Sequence, residues 1–290
     1  MNATAHPVSK LPDVGTTIFT VMSALAAEHK ALNLSQGFPD FDGPDALLES
    51  VNAHMRNGRN QYPPMAGVAT LRQAIANKVA DLYGLDCDSE TEITVAAGAT
   101  EALFCAIAAV VHAGDEVIVL DPAYDSYDPV IRLQGAVPVH VPLTAPTYGI
   151  DWARIEAAIS PRTRLLILNS PHNPTGMVMN ESDIQALQAL CRKYDFYLIG
   201  DEVYEHMVFD QAKHLSLCAY EELYARSFVI SSFGKTYHVT GWKVGYCVAP
   251  PSLTTEFRRV HQYVTFTVNT PVQLGIADFL QQQPEHHRQL

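Results

Sequence analysis

From Glu92 onward, short runs rich in branched and aromatic apolar residues alternate with longer stretches of helical apolar spacing. This alternation constrains the fold more than any other feature of the chain. The runs at 93–97, 116–120, 137–141, 165–169, 196–200, 228–231 and 244–249 read as seven strands. The segments 101–111, 126–134, 152–158 and 181–194 between them read as helices, and 46–57 and 69–83 precede them with the same helical spacing. Strands that are nearly continuous in apolar residues are buried on both faces, and their alternation with helices makes a mostly parallel sheet. The expected fold is therefore an α/β domain with a mostly parallel seven-stranded sheet flanked by helices. The first forty residues read as irregular, with a turn-rich stretch from Leu34 to Phe41.

Composition narrows the function classes. The net charge is −12, from 19 Lys and Arg against 31 Asp and Glu, and no basic run occurs, so a nucleic-acid or anionic-membrane partner is not expected. No stretch is long and apolar enough for a membrane span, and the N-terminus lacks the pattern of a signal peptide. The five cysteines include no Cys-x-x-Cys pair, which argues against a disulfide framework or zinc site and makes the cytoplasm the expected location. Of twelve histidines only His286 and His287 are neighbours, so no metal is expected.

In sheets of this kind ligands bind at the carboxyl ends of the strands, and polar motifs stand at five of those ends. Gly98-Ala99-Thr100 reads as an anion site at a helix N-terminus, or as an ordinary strand-to-helix turn capped by Thr100. Tyr124 offers a ring face for stacking. Asn173, in a turn-like Asn-Pro-Thr-Gly, can donate to a phenolate oxygen. Asp201 can pair with a protonated ring nitrogen or simply cap a turn, and Tyr204 faces the same site if that turn is helical. Lys235 is one of only seven lysines and follows a strand directly; enclosed there it becomes an amine nucleophile, and exposed it is a surface charge. Ser232 and Lys243 can each bind a phosphate, and Lys243 reads equally well as a surface charge. A phosphate cup, a ring stack, a counter-ion for a ring nitrogen, a phenolate donor and an amine form the set that pyridoxal phosphate requires.

As a group these motifs resemble the class I/II aminotransferases, pyridoxal-phosphate enzymes of fold type I. The most specific segments are 169–176, from Asn169 to Gly176, and 231–246, which carries Ser232, Lys235, Thr240, Gly241, Trp242 and Lys243. Ser35-Gln36-Gly37-Phe38-Pro39-Asp40-Phe41 and Gln61-Tyr62-Pro63 look closest to the methionine, glutamine and kynurenine branch. The resemblance implies that Lys235 is the Schiff-base lysine and proton shuttle, and that Asp201 keeps the pyridine nitrogen protonated. It further implies that Asn173 and Tyr204 bind the phenolic oxygen and that Tyr124 stacks on the ring. Ala99, Thr100, Ser232 and Lys243 would hold the phosphate, with Tyr62 reaching it from the second subunit of a homodimer. Gly37 and Asn169 would line the substrate side, where Gly37, Phe38 and Tyr62 suit a large apolar or thioether side chain. Ser170–Pro171 and Asn173–Pro174 are the candidates for cis bonds.

The implied organisation is an N-terminal arm over 1–40, a large cofactor-binding domain over 41–280, and at 281–290 the start of a C-terminal small domain that is otherwise largely absent. That domain carries the family's carboxylate-clamping arginine, and none of Arg258, Arg259 and Arg288 has its expected position. The implied activity is transamination between an L-amino acid (methionine, glutamine or aromatic) and a 2-oxo acid. A carbon–sulfur β-lyase of the same fold would use the same residues, and a truncated, inactive cofactor-binding fragment is a further reading.

Overall fold

The computed structural model describes residues 8–35, 37 and 41–289. Seven strands form one sheet: β1 (Ile93–Ala96), β2 (Glu116–Asp121), β3 (Val137–Pro142), β4 (Thr163–Asn169), β5 (Tyr197–Asp201), β6 (Ser227–Ser232) and β7 (Gly245–Val248). Their order is β1-β7-β6-β5-β4-β2-β3. Strands β2 to β6 pair in parallel, while β7 runs antiparallel to both β6 and β1. The carboxyl ends of β1, β2, β4, β5 and β6 therefore share one edge. Because β7 is reversed, that edge also receives the residues that precede it.

Alternate residues of each strand enter two different cores, as a period of two requires. On β2, Ile118 and Leu120 join one core, and Val117 and Val119 the other; Leu166 and Leu168 part in the same way from Leu165 and Ile167 on β4. The first core is covered by α2 (Asp45–Arg56), α3 (Ala69–Tyr83), α7 (Glu181–Lys193) and α11 (Thr270–Gln282), with α6 (Trp152–Ala158) at its margin. The second is covered by α4 (Gly98–Val110), α5 (Tyr127–Leu133) and α10 (Pro251–Val264). Two one-turn helices, α8 (Glu221–Tyr224) and α9 (Phe233–Thr236), flank β6.

Helix α10 was not anticipated, and two further features depart from the sequence reading. Residues expected to be irregular include a helix, α1 (Ile18–Glu28), started by the Thr17 side chain accepting from the Thr20 amide at 3.3 Å. It buries none of its residues, so it leaves little of the one-sided apolar pattern by which helices are found. Strand β3 is not buried on both faces: Val137 is 50% exposed. It is the edge strand, and Pro138 and Pro142 supply no amide for further pairing.

Helices α2 and α11 approach most closely at Gly275, where a Cβ would lie 2.9 Å from the Val51 backbone nitrogen and 2.4 Å from its Cγ2. We expect Gly275→Ala to force these helices apart at a cost of about 1–3 kcal/mol. Thermal unfolding should show a Tm lower by several degrees, and an unchanged Tm would mean that the packing relaxes freely.

Candidate active site

The chain leaves β1 through Gly98, whose φ of +78° favours glycine, and opens α4 with no side-chain cap on its first turn. The amides of that turn and the positive end of the helix dipole are thus presented to a ligand. Gly245 makes the arrangement possible. A Cβ there would lie 2.8 Å from the Ala99 nitrogen and 2.8 Å from the Ser231 oxygen, so only glycine lets β7 pass between α4 and β6. Lys243, held at a φ of +53°, lays its side chain against the same turn; a Cβ on Gly98 would sit 3.5 Å from its Nζ.

Lys235 stands in α9, directly after β6. Its Nζ donates to the Gly37 carbonyl at 2.8 Å and lies 5.5 Å from the centre of the Tyr204 ring. Burial, aided by the charge of Lys243, lowers its proton affinity below that of a free lysine. Among the described residues neither Lys235 nor Lys243 has a carboxylate partner.

Asp201 ends β5 beside Asn169 on β4. Only 3% exposed, it accepts from the Tyr127 hydroxyl at 2.5 Å. Burial pushes its carboxyl up to about 6, against the pull of the Tyr127 hydrogen bond. Asn169 fixes the neighbouring loop: its side-chain amide donates to the Asp201 carbonyl at 2.9 Å and its oxygen accepts from the Asn173 amide at 2.7 Å. In that loop Ser170–Pro171 and Asn173–Pro174 are cis, as are Asp121–Pro122 and Ala145–Pro146. Tyr124 packs edge-on against Tyr127, with ring centres 5.6 Å apart.

Eleven of the expected residues line one cleft of about 760 Å³: Gly37, Ala99, Thr100, Tyr124, Asn169, Asn173, Asp201, Tyr204, Ser232, Lys235 and Lys243. Tyr62 does not; it is 85% exposed and meets Phe266 edge-on. Gln36, Phe38, Pro39 and Asp40, also singled out in the sequence, lie outside the described residues. Among the described residues no arginine lines the cleft. Arg258 donates to Thr94 and to the Glu90 and Ile93 carbonyls, while Arg259 and Arg288 pair with Glu256 and Glu285.

The sequence reading missed Tyr127, Ile18 and Phe19. A buried tyrosine needs a partner for its hydroxyl, and Tyr127 lay in a segment read as helical, so that signal was present without the partner's identity. Ile18 and Phe19 reach the cleft on α1, which was not anticipated. The residues present fit a phosphorylated, flat, ring-nitrogen ligand: an uncapped helix turn and an unpaired lysine stand at one end, and a buried acid at another.

Asp201 binds its proton more tightly folded than unfolded. Its contribution to stability is therefore fully present below pH 3.8 and lost as the pH rises through about 6. The buried ionised form costs roughly 3 kcal/mol. We expect Asp201→Asn without added cofactor to melt above the parent at pH 7.5, with the gap closing below pH 4; a lower melting point at pH 7.5 would contradict this. Lys243→Gln removes a like charge from Lys235. The rate at which Lys235 captures pyridoxal, which has no phosphate, should then rise at a higher pH than in the parent, as trapping by borohydride reduction would show.

The model for aminotransferase class I and II matches residues 29–290. Methionine aminotransferase of Escherichia coli K12 is 55% identical over 281 residues, spanning 97% of this chain and 73% of that protein. A probable N-succinyldiaminopimelate aminotransferase of Mycobacterium tuberculosis is 43% identical, spanning 93% of this chain and 68% of its own length. The crystal structure of Escherichia coli YbdL, reported with a methionine aminotransferase function, superposes with a TM-score of 0.96 at 54% identity, covering 98% of this chain and 75% of that one. About a quarter of those two Escherichia coli chains therefore has no counterpart in these residues. The chain belongs to the class I and II aminotransferases, a pyridoxal-phosphate-dependent family of fold type I.

Proposed function

We propose that this chain binds pyridoxal phosphate in the cleft and transfers the amino group of an L-amino acid to a 2-oxo acid. The observation that carries this reading is the meeting of the uncapped α4 turn, two lysines with no carboxylate partner among the described residues and the buried Asp201 in one cleft. The cofactor, when bound, supplies a reactive carbonyl and a ring that accepts electron density. The chain's residues do the rest. Ala99, Thr100, Ser232 and Lys243 hold the phosphate, and Tyr124 offers the ring face. Asp201, steadied by Tyr127, keeps a proton on the ring nitrogen, and Asn173 and Tyr204 donate to the phenolic oxygen. Lys235, whose amine burial shifts toward its unprotonated form, would take the proton from the substrate α-carbon and pass it to the cofactor. Gly37 and Asn169 line the substrate side.

We further propose a homodimer in which Tyr62 serves the neighbouring subunit's phosphate. Its 85% exposure, away from its own cleft, supports this, as do the exposed apolar residues Val21, Met22 and Leu25 of α1. For the donor we propose methionine, glutamine or an aromatic amino acid. The apolar Ile18 and Phe19 at the cleft suit a large side chain, and the 55% identical relative carries the name methionine aminotransferase.

The test is the visible spectrum of the chain with added pyridoxal phosphate, before and after L-methionine, followed by product analysis with 2-oxoglutarate. We expect a protein-bound band that changes on methionine addition, and matched yields of glutamate and the methionine-derived 2-oxo acid. Ammonia without a new amino acid would sink the transfer reading, and a bound band that never responds would limit the chain to holding the cofactor. Lys235→Ala should abolish turnover. Turnover at the parent rate would remove Lys235 from its role.

A further inference from the structure

His261, on α10, is fully buried, yet both of its ring nitrogens face oxygen acceptors. Nδ1 lies 2.8 Å from Glu101 Oε1, and Nε2 lies 3.1 Å from the Met65 carbonyl oxygen. A carbonyl has no proton to give, so Nε2 carries one. Burial pushes the Glu101 carboxyl up, but the hydrogen bond and charge of His261, with Cys105 and the Ala97 amide, more than offset this and hold it below the usual carboxylate range. The ring thus bridges two oxygens from different parts of the chain, the Glu101 carboxyl at Nδ1 and the Met65 carbonyl at Nε2.

The pair sits beneath the anion-binding turn. Glu101 accepts from Cys105 Sγ at 2.9 Å and, through its other oxygen, from the Ala97 amide at 3.0 Å. Ala97 is the last residue before Gly98. Glu101 thus fixes how the chain enters α4 while using none of the amides of Gly98, Ala99 and Thr100. On its other side His261 holds the Met65 carbonyl, three residues beyond Tyr62. The same loop is tied by Thr267 to the Pro64 carbonyl at 3.1 Å and by Thr270 to the Gln61 carbonyl at 2.6 Å. A single side chain therefore joins the turn that faces this chain's cleft to the loop that carries Tyr62 away from it.

We propose that His261 is a positioning residue for phosphate recognition, acting through Glu101 on the first turn of α4 and through Met65 on the Tyr62 loop. This rests on the reading that the cleft takes the phosphate of pyridoxal phosphate. Replacing His261 by glutamine takes away the ring that faces Glu101 and leaves the Tyr62 loop tied by Thr267 and Thr270. The loss falls on the phosphate end alone, since Lys235, Asp201 and Asn173 make no contact with His261.

The test compares pyridoxal phosphate with pyridoxal, by equilibrium titration of the parent, His261→Gln and the double variant His261→Gln/Glu101→Gln, with circular dichroism melts alongside. We expect the dissociation constant for pyridoxal phosphate to rise about tenfold in His261→Gln, as for one lost charge-assisted hydrogen bond, while that for pyridoxal is unchanged. The double variant, which replaces the buried His261–Glu101 contact by two neutral amides, should recover part of the preference. If His261→Gln does not fold, the double variant carries the test, with its preference expected to lie below the parent's. A preference equal to the parent's in every folded variant, or an equal loss for both ligands, would overturn the proposal. A parent that binds both ligands alike would overturn the cofactor reading itself, and the proposal with it.

Discussion

Positive charge that meets no carboxylate among the described residues is the constraint on which the rest of the cleft depends. The chain carries 31 acidic side chains, and Lys78 and Arg72 use two of them: Lys78 pairs with Glu205 at 2.5 Å, and Arg72 with Glu90 at 2.5 Å. Lys235 and Lys243 instead face each other and an uncapped helix turn, all of one sign, in a half-enclosed space. Such an arrangement is unfavourable until an anion enters it. It also dictates backbone that few residues adopt. Gly98 must turn left-handed, Gly245 must have no side chain, and Lys243 must take a conformation uncommon outside glycine. The reversal of β7 brings all three to one point, because it carries Lys243 to the edge where the parallel strands end.

Below the cleft, a second set of polar residues holds the first in place. The turn after β5 alternates: Asp201 and Tyr204 face the cleft, while Glu202 and Glu205 point inward. Glu205 accepts from Lys78, from the Tyr83 hydroxyl and from Ser231, each at 2.5 Å. Burial raises its carboxyl, yet Lys78 and its other partners bring it far below the usual range, so it stays ionised. Glu202 accepts from His214 and from the Leu217 amide, both at 2.9 Å. The two serines that end β6 divide likewise, Ser231 to Glu205 and Ser232 to the cleft. His214 Nδ1 has no hydrogen-bond partner among the described residues, but every carboxylate oxygen of Glu202 and Glu205 is engaged, and such a network holds the cleft residues in register.

Much of this was legible in the sequence, for identifiable reasons. Strand and helix positions followed from apolar spacing, and the site followed from polar residues standing where apolar runs stop. Asn169, Asp201 and Lys235 were readable because a polar residue at the end of a buried strand has few structural uses. The failures have equally physical causes. Helix α1 buries nothing, so no apolar stripe announced it, and with it Ile18 and Phe19 were lost. Strand β3 reads like a central strand because Val137, Val139 and Val141 look alike whether or not a neighbour covers them. The inward faces of the turns could not be assigned either. Glu101, Glu202 and Glu205 resemble surface acids until His261, His214 and Lys78 arrive beside them, His261 and Lys78 from more than a hundred residues away.

The two titrating groups most central to the cleft are moved in opposite directions by one cause. Burial penalises charge, so it raises the carboxyl of Asp201 to about 6 and lowers the amine of Lys235. An acid and a base that would lie far apart in water are thereby drawn toward neutrality from either side. For Lys235, which moves a proton in the proposed reaction, the shift brings the amine closer to the working pH. For Asp201, which would hold a proton on the ring nitrogen, the Tyr127 hydrogen bond limits the rise. No separate device is required for each residue. Enclosing both in one half-buried cleft, with Lys243 adding its charge beside the amine and Tyr127 restraining the acid, is enough to set the pair.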